Sequence, residues 1–112
     1  MGTAWNNEYR AMPATAADFT AEDMFVAECL AAAAQGDCSA YFDLGVAFST
    51  GSHGATCDLI EAHKWFNLAA VAGFEEANTC RSEVADDMTA REISEAQRRA
   101  REWLAASNRK AA

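Results

Sequence analysis

A short alanine-rich pattern that ends in glycine occurs twice in the chain, and this repetition constrains the fold more than any other feature. The stretch 32–36 followed by Ala40 matches the stretch 69–73 followed by Ala77, and every matched position is offset by 37 residues. Two helices in every ~30–45 residues are typical of a helical solenoid, in which each hairpin of helices buries its apolar side on the next. A chain of 112 residues has room for one domain of such units.

Helix start and stop signals predict five consecutive helices. Residues that commonly cap a first helical turn occur at Thr20, Asp37 and Asp58. The predicted helix ends are marked by Gly36, Gly51 and Gly73. The fourth helix is predicted over 74–87, and Thr89 with Glu92 forms a capping box that opens the fifth. No stretch has the pattern of a strand and alanine is abundant, so the predicted fold class is all-α.

Apolar residues recur at helical spacing in the predicted helices and define the expected core. In the first helix these residues are Phe25, Val26, Cys29, Leu30 and Ala33. In the second and third they are Ala40, Tyr41, Leu44, Phe48, Ala62, Trp65, Phe66, Ala69 and Ala70, and in the fifth Ile93, Ala96, Ala100, Trp103 and Leu104. Full burial of one large apolar side chain contributes ~1.5–3 kcal/mol, so the aromatic members of this set are expected to dominate stability.

A longer spaced pattern covers residues 40–77. It consists of Ala40, Leu44, Gly45, Phe48, Gly51, Asp58, Glu61, Ala62, Trp65, Phe66, Ala69, Ala70, Gly73 and Ala77. This pattern resembles the Sel-one-like repeat, a relative of the tetratricopeptide repeat, over roughly residues 25–77. The segment 88–103 is similar to the closing helix that follows the last repeat in many bacterial members. The resemblance implies a short α-solenoid of antiparallel helix hairpins with a C-terminal capping helix.

The chain departs from this family pattern in two places. Its inter-helix loop is one residue longer than usual and has Ala55 where the family has valine, and its fourth helix lacks the Leu-Gly pair of a true repeat. The predicted organisation is an N-terminal arm over 1–18, a repeat region over 19–88 with one complete repeat over 40–77 and partial units on each side, a capping helix over 89–106 and a tail over 107–112.

Charge and hydropathy limit the classes of partner. The formal net charge is −8, which argues against a general nucleic-acid binder because such proteins carry a basic face. The charge is unevenly distributed along the chain, with a net −11 over residues 1–90 and a net +3 over residues 91–112. Acidic residues are interspersed among the basic ones of this C-terminal segment, which indicates an ordinary solvated helix. No apolar run approaches the ~20 residues of a membrane span, so no membrane insertion is expected.

The N-terminus and the cysteines together predict a cytoplasmic location. Residues 1–8 have neither the basic region nor the apolar region of a secretory signal. The four cysteines lack close C-x-x-C pairs, so we expect reduced thiols that mostly act as small buried side chains. In an oxidising compartment, Cys29 and Cys38 would be the pair expected to form a disulfide.

No group of residues predicts catalysis or a cofactor. His53, Cys57 and His63 are close in sequence, but no fourth metal ligand is fixed and His63 is expected on a helix surface. A nucleophilic Cys57–His pair lacks an orienting third group. The glycine-containing loop 51–54 lacks the lysine and the preceding strand of a phosphate loop. We therefore expect no catalytic residue, metal or cofactor.

The resemblance implies a binding surface on the second helix. In tetratricopeptide-like solenoids the first helix of each hairpin lines the concave side, which by position implies Ser39, Phe42, Val46 and Ser49 here. Phe42 and Val46 suit recognition of a partner helix or an extended peptide. Trp5 and Tyr9 of the N-terminal arm, which lie four residues apart, are further candidates for partner binding. The alternative is that this arm covers Phe42 and Val46 within the same chain.

These features favour a non-catalytic interaction module, a bacterial adaptor or regulator that binds another protein. The second hypothesis is a structural subunit whose solenoid ends are buried by neighbouring chains in a larger assembly. A homo-oligomer is compatible with either hypothesis. An enzyme is the least favoured hypothesis, because no convergent polar groups are visible.

Overall fold

The computed structural model describes residues 21–111, with side chains described over 24–107. All regular secondary structure in this part of the chain is α-helical, which confirms the predicted all-α class. The helices are α1 (Ala21–Ala34), α2 (Cys38–Thr50), α3 (Leu59–Val71), α4 (Glu76–Ala85) and α5 (Ala90–Ala111). The predicted N-terminal arm, with Trp5 and Tyr9, lies outside the described residues.

Local side-chain caps begin three of the helices where the sequence predicts them. Asp37 and Asp58 each accept hydrogen bonds from the backbone N–H groups two and three residues later, at 3.0–3.4 Å. At the start of α5 the backbone N–H of Thr89 donates to the Glu92 carboxylate at 2.9 Å, and the Glu92 N–H donates to the Thr89 hydroxyl at 3.1 Å. These contacts pair N–H groups that a helix cannot satisfy from within.

Three helix boundaries differ from the prediction: the start and the end of α4, which ends at Ala85 rather than at residue 87, and the end of α5. α4 begins at Glu76 rather than at residue 74, because the N–H of Phe74 donates to the Ala69 carbonyl and so completes the turn that ends α3. α5 continues to Ala111, beyond residue 106 where the capping helix was predicted to end. The residues that follow 104 include strong helix formers and no glycine or proline that would stop the helix.

The sequence repetition corresponds to a repeated turn. The turns after α1 and α3 contain the same three backbone hydrogen bonds at an offset of 37 residues. In the first turn these bonds join Gly36 to Ala33, Asp37 to Ala32 and Ala40 to Asp37; in the second they join Gly73 to Ala70, Phe74 to Ala69 and Ala77 to Phe74. Gly36 and Gly73 have φ values of 88° and 105°, a conformation that other residues adopt only with strain.

α3 is the central helix of the described residues, because it packs against α2, α4 and α5, whereas α1 packs mainly against α2. Seven members of the core set predicted for α2 and α3 are buried: Ala40, Tyr41, Leu44, Ala62, Trp65, Phe66 and Ala69. Phe48 and Ala70 are only half-buried. Leu30 and Leu104 are exposed, contrary to prediction, because α1 and the end of α5 each have a neighbour on one side only.

The closest approach of α2 to α3 is at Gly45. A β-carbon at this position would lie 2.5 Å from the ring of Phe66, far inside van der Waals contact. The absence of a side chain at Gly45 therefore lets the Phe66 ring lie against the backbone of α2. Gly45 is therefore small at a point where two helices meet.

Candidate functional site

A groove with apolar walls lies between α2 and α4, with α3 as its floor. We call it the α2–α4 groove; it has a volume of about 310 Å³. Its lining residues are Val46, Ser49, Thr50, Leu59, Phe66, Cys80, Glu83, Val84 and Asp87. The groove exists because α2 and α4 both pack against α3 but scarcely against each other.

The groove has an apolar floor and an acidic rim. Phe66 and Val84 form its deepest part and are 2% and 9% exposed. Val46 and Leu59 are half-buried and line the sides, while Glu83 on α4 and Asp87 in the turn after it are exposed. The result is an apolar depression next to two carboxylates on one wall.

The structure brings together two of the four residues that the resemblance places on the concave side. Val46 and Ser49 both line the α2–α4 groove. The Ser49 hydroxyl donates to the Val46 carbonyl at 3.1 Å, so this side chain is bonded to its own helix. Ser39 lies elsewhere, because it is seven residues (~10 Å) nearer the start of α2 and borders a smaller depression between α1 and α2.

Phe42 is packed rather than free. Its ring stacks on that of Phe74, with centroids 4.6 Å apart, and lies 5.6 Å from the ring of Phe66. Phe74 follows the second of the two repeated turns, and it covers part of Phe42 from within the described chain. Phe42 is therefore half-buried and does not line the α2–α4 groove, and Val46 is the apolar residue of α2 that the groove presents.

Sequence reasoning missed the α4 wall of the groove. Cys80 and Val84 are spaced at i and i+4, which places them on one face of α4. Glu83 in the same helix and Asp87 in the turn after it complete this wall. The spacing of Cys80 and Val84 is visible in the sequence, but the fourth helix lacks the Leu-Gly pair of a true repeat, so the resemblance implies no binding role for it.

The two basic side chains within residues 24–90 are bonded outside the groove. The Lys64 ammonium lies 4.3 Å from the centre of the Trp65 ring and 3.4 Å from the Glu61 carboxylate. Arg81 donates to the Asn67 side chain at 2.8 Å. Neither side chain lines the α2–α4 groove, whose only charged lining residues are acidic.

The opposite side of α3 is closed by α5. The rings of Trp65 and Trp103 meet edge to face with centroids 4.9 Å apart, and the ring of Tyr41 lies 5.9 Å from Trp65. An ion pair of 2.7 Å joins Arg99 to Glu61 across the two helices.

The polar surface of α5 is a network of ion pairs within the helix. Arg98 and Arg99 both bond the Glu95 carboxylate, and their hydrogen bonds lower its pKa to about 2. Arg98 also pairs with Glu102. The arginines of this stretch are thus largely neutralised by glutamates of the same helix, as the alternating charges in the sequence indicate.

His63 is buried, which corrects the prediction that it lies on a helix surface. It is 4% exposed because three helices surround α3, and its Nδ1 atom has no hydrogen-bond partner within the described residues. Burial lowers the pKa of His63, and the nearby charge of Arg81 lowers it further. The imidazole is therefore neutral at pH 7. His53, by contrast, is exposed and stacks on the Phe25 ring at 4.0 Å.

The four cysteines lie in different parts of the helical domain and none is bonded to another. Burial raises the pKa of the Cys29 and Cys80 thiols, with nearby carboxylates adding to the effect. Both thiols are therefore protonated at neutral pH, which is unfavourable for a nucleophile. Within residues 21–111, no three His, Cys, Asp or Glu side chains are grouped to hold a metal ion.

None of the described helices combines the length and the apolar character needed to cross a bilayer. No protein-family model, curated protein or solved structure matches the chain.

Proposed function

We propose that this chain is a non-catalytic protein–protein interaction module that binds a segment of a partner protein in the α2–α4 groove. The observation that carries the proposal is the unfilled apolar depression between two helix walls. A volume of about 310 Å³ is at the lower end of the ~300–1,000 Å³ typical of ligand pockets. It therefore suits one or two anchoring side chains of a peptide or helix.

The polar groups of the groove support binding rather than chemistry. The hydroxyls of Ser49 and Thr50 both donate to the Val46 carbonyl, at 3.1 and 2.8 Å, and so are held by their own helix. The pKa of the Cys80 thiol is raised by burial, which keeps it in its protonated form. The groove thus offers apolar contact area and negative charge, which are the means by which a binding surface selects a partner.

We further propose that the helices form a short solenoid of the Sel-one-like type, with α5 as its capping helix. The repeated turn at an offset of 37 residues supports this, as does the packing of α3 against helices on both sides. In this view the groove is the concave side of the solenoid, and the protein is an adaptor or regulator in a bacterial cytoplasm. The bacterial source and the location depend on the sequence pattern alone.

The test is a pair of glutamate substitutions on one helix, made in the full chain. Val46→Glu places a charge in the groove, whereas the matched control Ser39→Glu places the same side chain on the first turn of α2, outside it. Each protein is used to select peptides from a display library of random 16-residue sequences, and circular dichroism measures helix content. Peptides selected by the parent chain are expected to bind Ser39→Glu as tightly as they bind the parent. They are expected to bind Val46→Glu at least about tenfold more weakly than the parent, as for loss of a binding hot spot.

Equal binding of the selected peptides by both variants, with helix content unchanged, would contradict the groove proposal. If Val46→Glu loses its helix content, Val46→Ser provides the same comparison with a smaller change. A library that gives no peptide dependent on Val46 would also count against the groove as a binding site.

A structural subunit of a larger assembly is the second candidate, and the outer surface of α1 favours it. Met24 and Leu30 are 51% and 40% exposed there, and α1 packs mainly against α2. A neighbouring chain, or a second copy of this one, could cover this surface. A complex of fixed stoichiometry in native purification would support the subunit, whereas a sub-stoichiometric and exchanging partner would support the adaptor.

A further inference from the structure

We propose, on the basis of the groove function above, that the partner segment is cationic and amphipathic, with an apolar anchor flanked by lysine or arginine. The first observation is the placement of two carboxylates. Glu83 lies in the last turn of α4 and Asp87 in the turn that follows it, and both line the groove beside Val84. Within the described residues, neither takes part in an ion pair.

The second observation is the distribution of positive charge. Residues 24–90 contain ten acidic and two basic side chains, and the two basic ones, Lys64 and Arg81, are bonded outside the groove. Arg98 and Arg99 on α5 are paired with glutamates on the other side of α3. Within the described residues no lysine or arginine forms an ion pair with Glu83 or Asp87, and an occupant that supplies positive charge would balance these carboxylates.

The shape of the groove determines how such an occupant is arranged. An apolar side chain of the partner contacts Phe66 and Val46 at the centre. Lysine or arginine residues one turn away then reach Glu83 and Asp87, and their aliphatic stems lie over Val84. Because the carboxylates are exposed, they contribute mainly to association rate and to selection among partners, and their contribution weakens as salt increases.

The charges of the chain itself do not favour the N-terminal segment as occupant. Residues 1–20 contain Arg10 but also Glu8 and Asp18. A second copy is a stronger competitor, because residues 91–112 contain six basic and three acidic side chains. Both occupants are separate outcomes of the experiment below.

The experiment uses three fluorescent 14-residue peptides with leucine at the same helical positions. The remaining positions are lysine in the first peptide, glutamine in the second and glutamate in the third. Binding to the full chain is measured by fluorescence anisotropy at low and high sodium chloride. We expect the lysine peptide to bind at least about fivefold more tightly than the glutamine peptide, the glutamate peptide to bind least, and the difference to shrink in high salt.

Two double variants with the same change in net charge provide the control. Glu83→Gln with Asp87→Asn removes the acidic wall, and Glu75→Gln with Glu76→Gln removes two charges at the opposite end of α4, outside the groove. The first is expected to weaken binding of the lysine peptide about fivefold, and the second to leave it nearly unchanged. Equal weakening by both variants would mean unspecific attraction to an acidic protein and would overturn the proposal.

The remaining outcomes separate this proposal from the groove function. If the library peptides depend on Val46 but the lysine and glutamine peptides bind equally, the groove binds a partner and the cationic chemistry is wrong. Tighter binding of the lysine peptide after Trp5→Ala with Tyr9→Ala would overturn the proposal in favour of the N-terminal segment as occupant. A dimer in light scattering that dissociates in the Glu83→Gln, Asp87→Asn variant would overturn it in favour of a second copy.

Discussion

The two sides of α3 differ in how completely they are covered. Toward α5, Trp65 is 1% exposed and packs edge to face on Trp103, and Glu61 pairs with Arg99. Toward the α2–α4 groove, Phe66 is also almost fully buried, at 2% exposed. Beside it, however, lie the half-buried side chain of Val46 and the open groove. Adjacent residues of one helix thus serve a closed interface and an open one. We infer that stability depends more on the closed side and binding on the open side.

The largest expected effect is on the closed side. Trp65→Ala removes a fully buried aromatic side chain, and we expect the free energy of unfolding to fall by ~3–5 kcal/mol, enough to unfold much of so small a domain. Val46→Ala, on the open side, is expected to cost only about 1 kcal/mol because Val46 is half-buried. Urea titration followed by circular dichroism measures both. A Trp65→Ala loss no larger than that of Val46→Ala would contradict the comparison.

An intermediate effect is expected at the polar contacts that close the same side. The Glu61 carboxylate accepts the Trp65 indole N–H at 3.2 Å and bonds Arg99 at 2.7 Å. Glu61→Ala leaves a buried N–H without its acceptor and is expected to cost ~1–3 kcal/mol. Glu61→Gln keeps an acceptor for the Trp65 N–H and loses only the charge. We expect this variant to lower the free energy of unfolding by about 0.5–1 kcal/mol, because the Arg99 side chain is 36% exposed and its ion pair is therefore weak.

The comparison of these two variants by thermal unfolding sharpens the contrast between the sides of α3. If Glu61→Gln is as destabilising as Glu61→Ala, the charge on Glu61 matters more than the hydrogen bond to Trp65. Neither variant is expected to change peptide binding in the groove, because Glu61 does not line it. Weaker binding without loss of helix content would mean that the two sides are coupled.

The smallest expected effect is that of a reducing agent. The four thiols are not bonded to one another, so the melting temperature is expected to be the same with and without reductant. Differential scanning calorimetry under both conditions measures the difference. A large fall in the melting temperature on reduction would indicate a disulfide. Cys29 and Cys38 would then be the first pair to test, by mass spectrometry after alkylation.

The parts of the site that the sequence predicted and missed differ in the range of the interactions involved. Val46 and Ser49, which the resemblance places on the concave side, both line the α2–α4 groove. The cover of Phe42 comes from Phe74, thirty-two residues later in the chain, and the pattern of α2 alone does not predict it. Glu83 and Asp87 acquire a role only because α3 holds α4 opposite α2. No pattern within α4 itself indicates what lies across from it.

The sequence by itself determined the helices, because their ends depend on hydrogen bonds between residues two to five positions apart. The caps at Asp37 and Asp58 and the repeated turns at Gly36 and Gly73 are interactions of this kind. Only the tertiary structure decided which side of each helix is covered. The burial of His63 and the open groove beside Val46 both result from contacts between helices far apart in the chain, where small differences in position separate a filled space from an empty one.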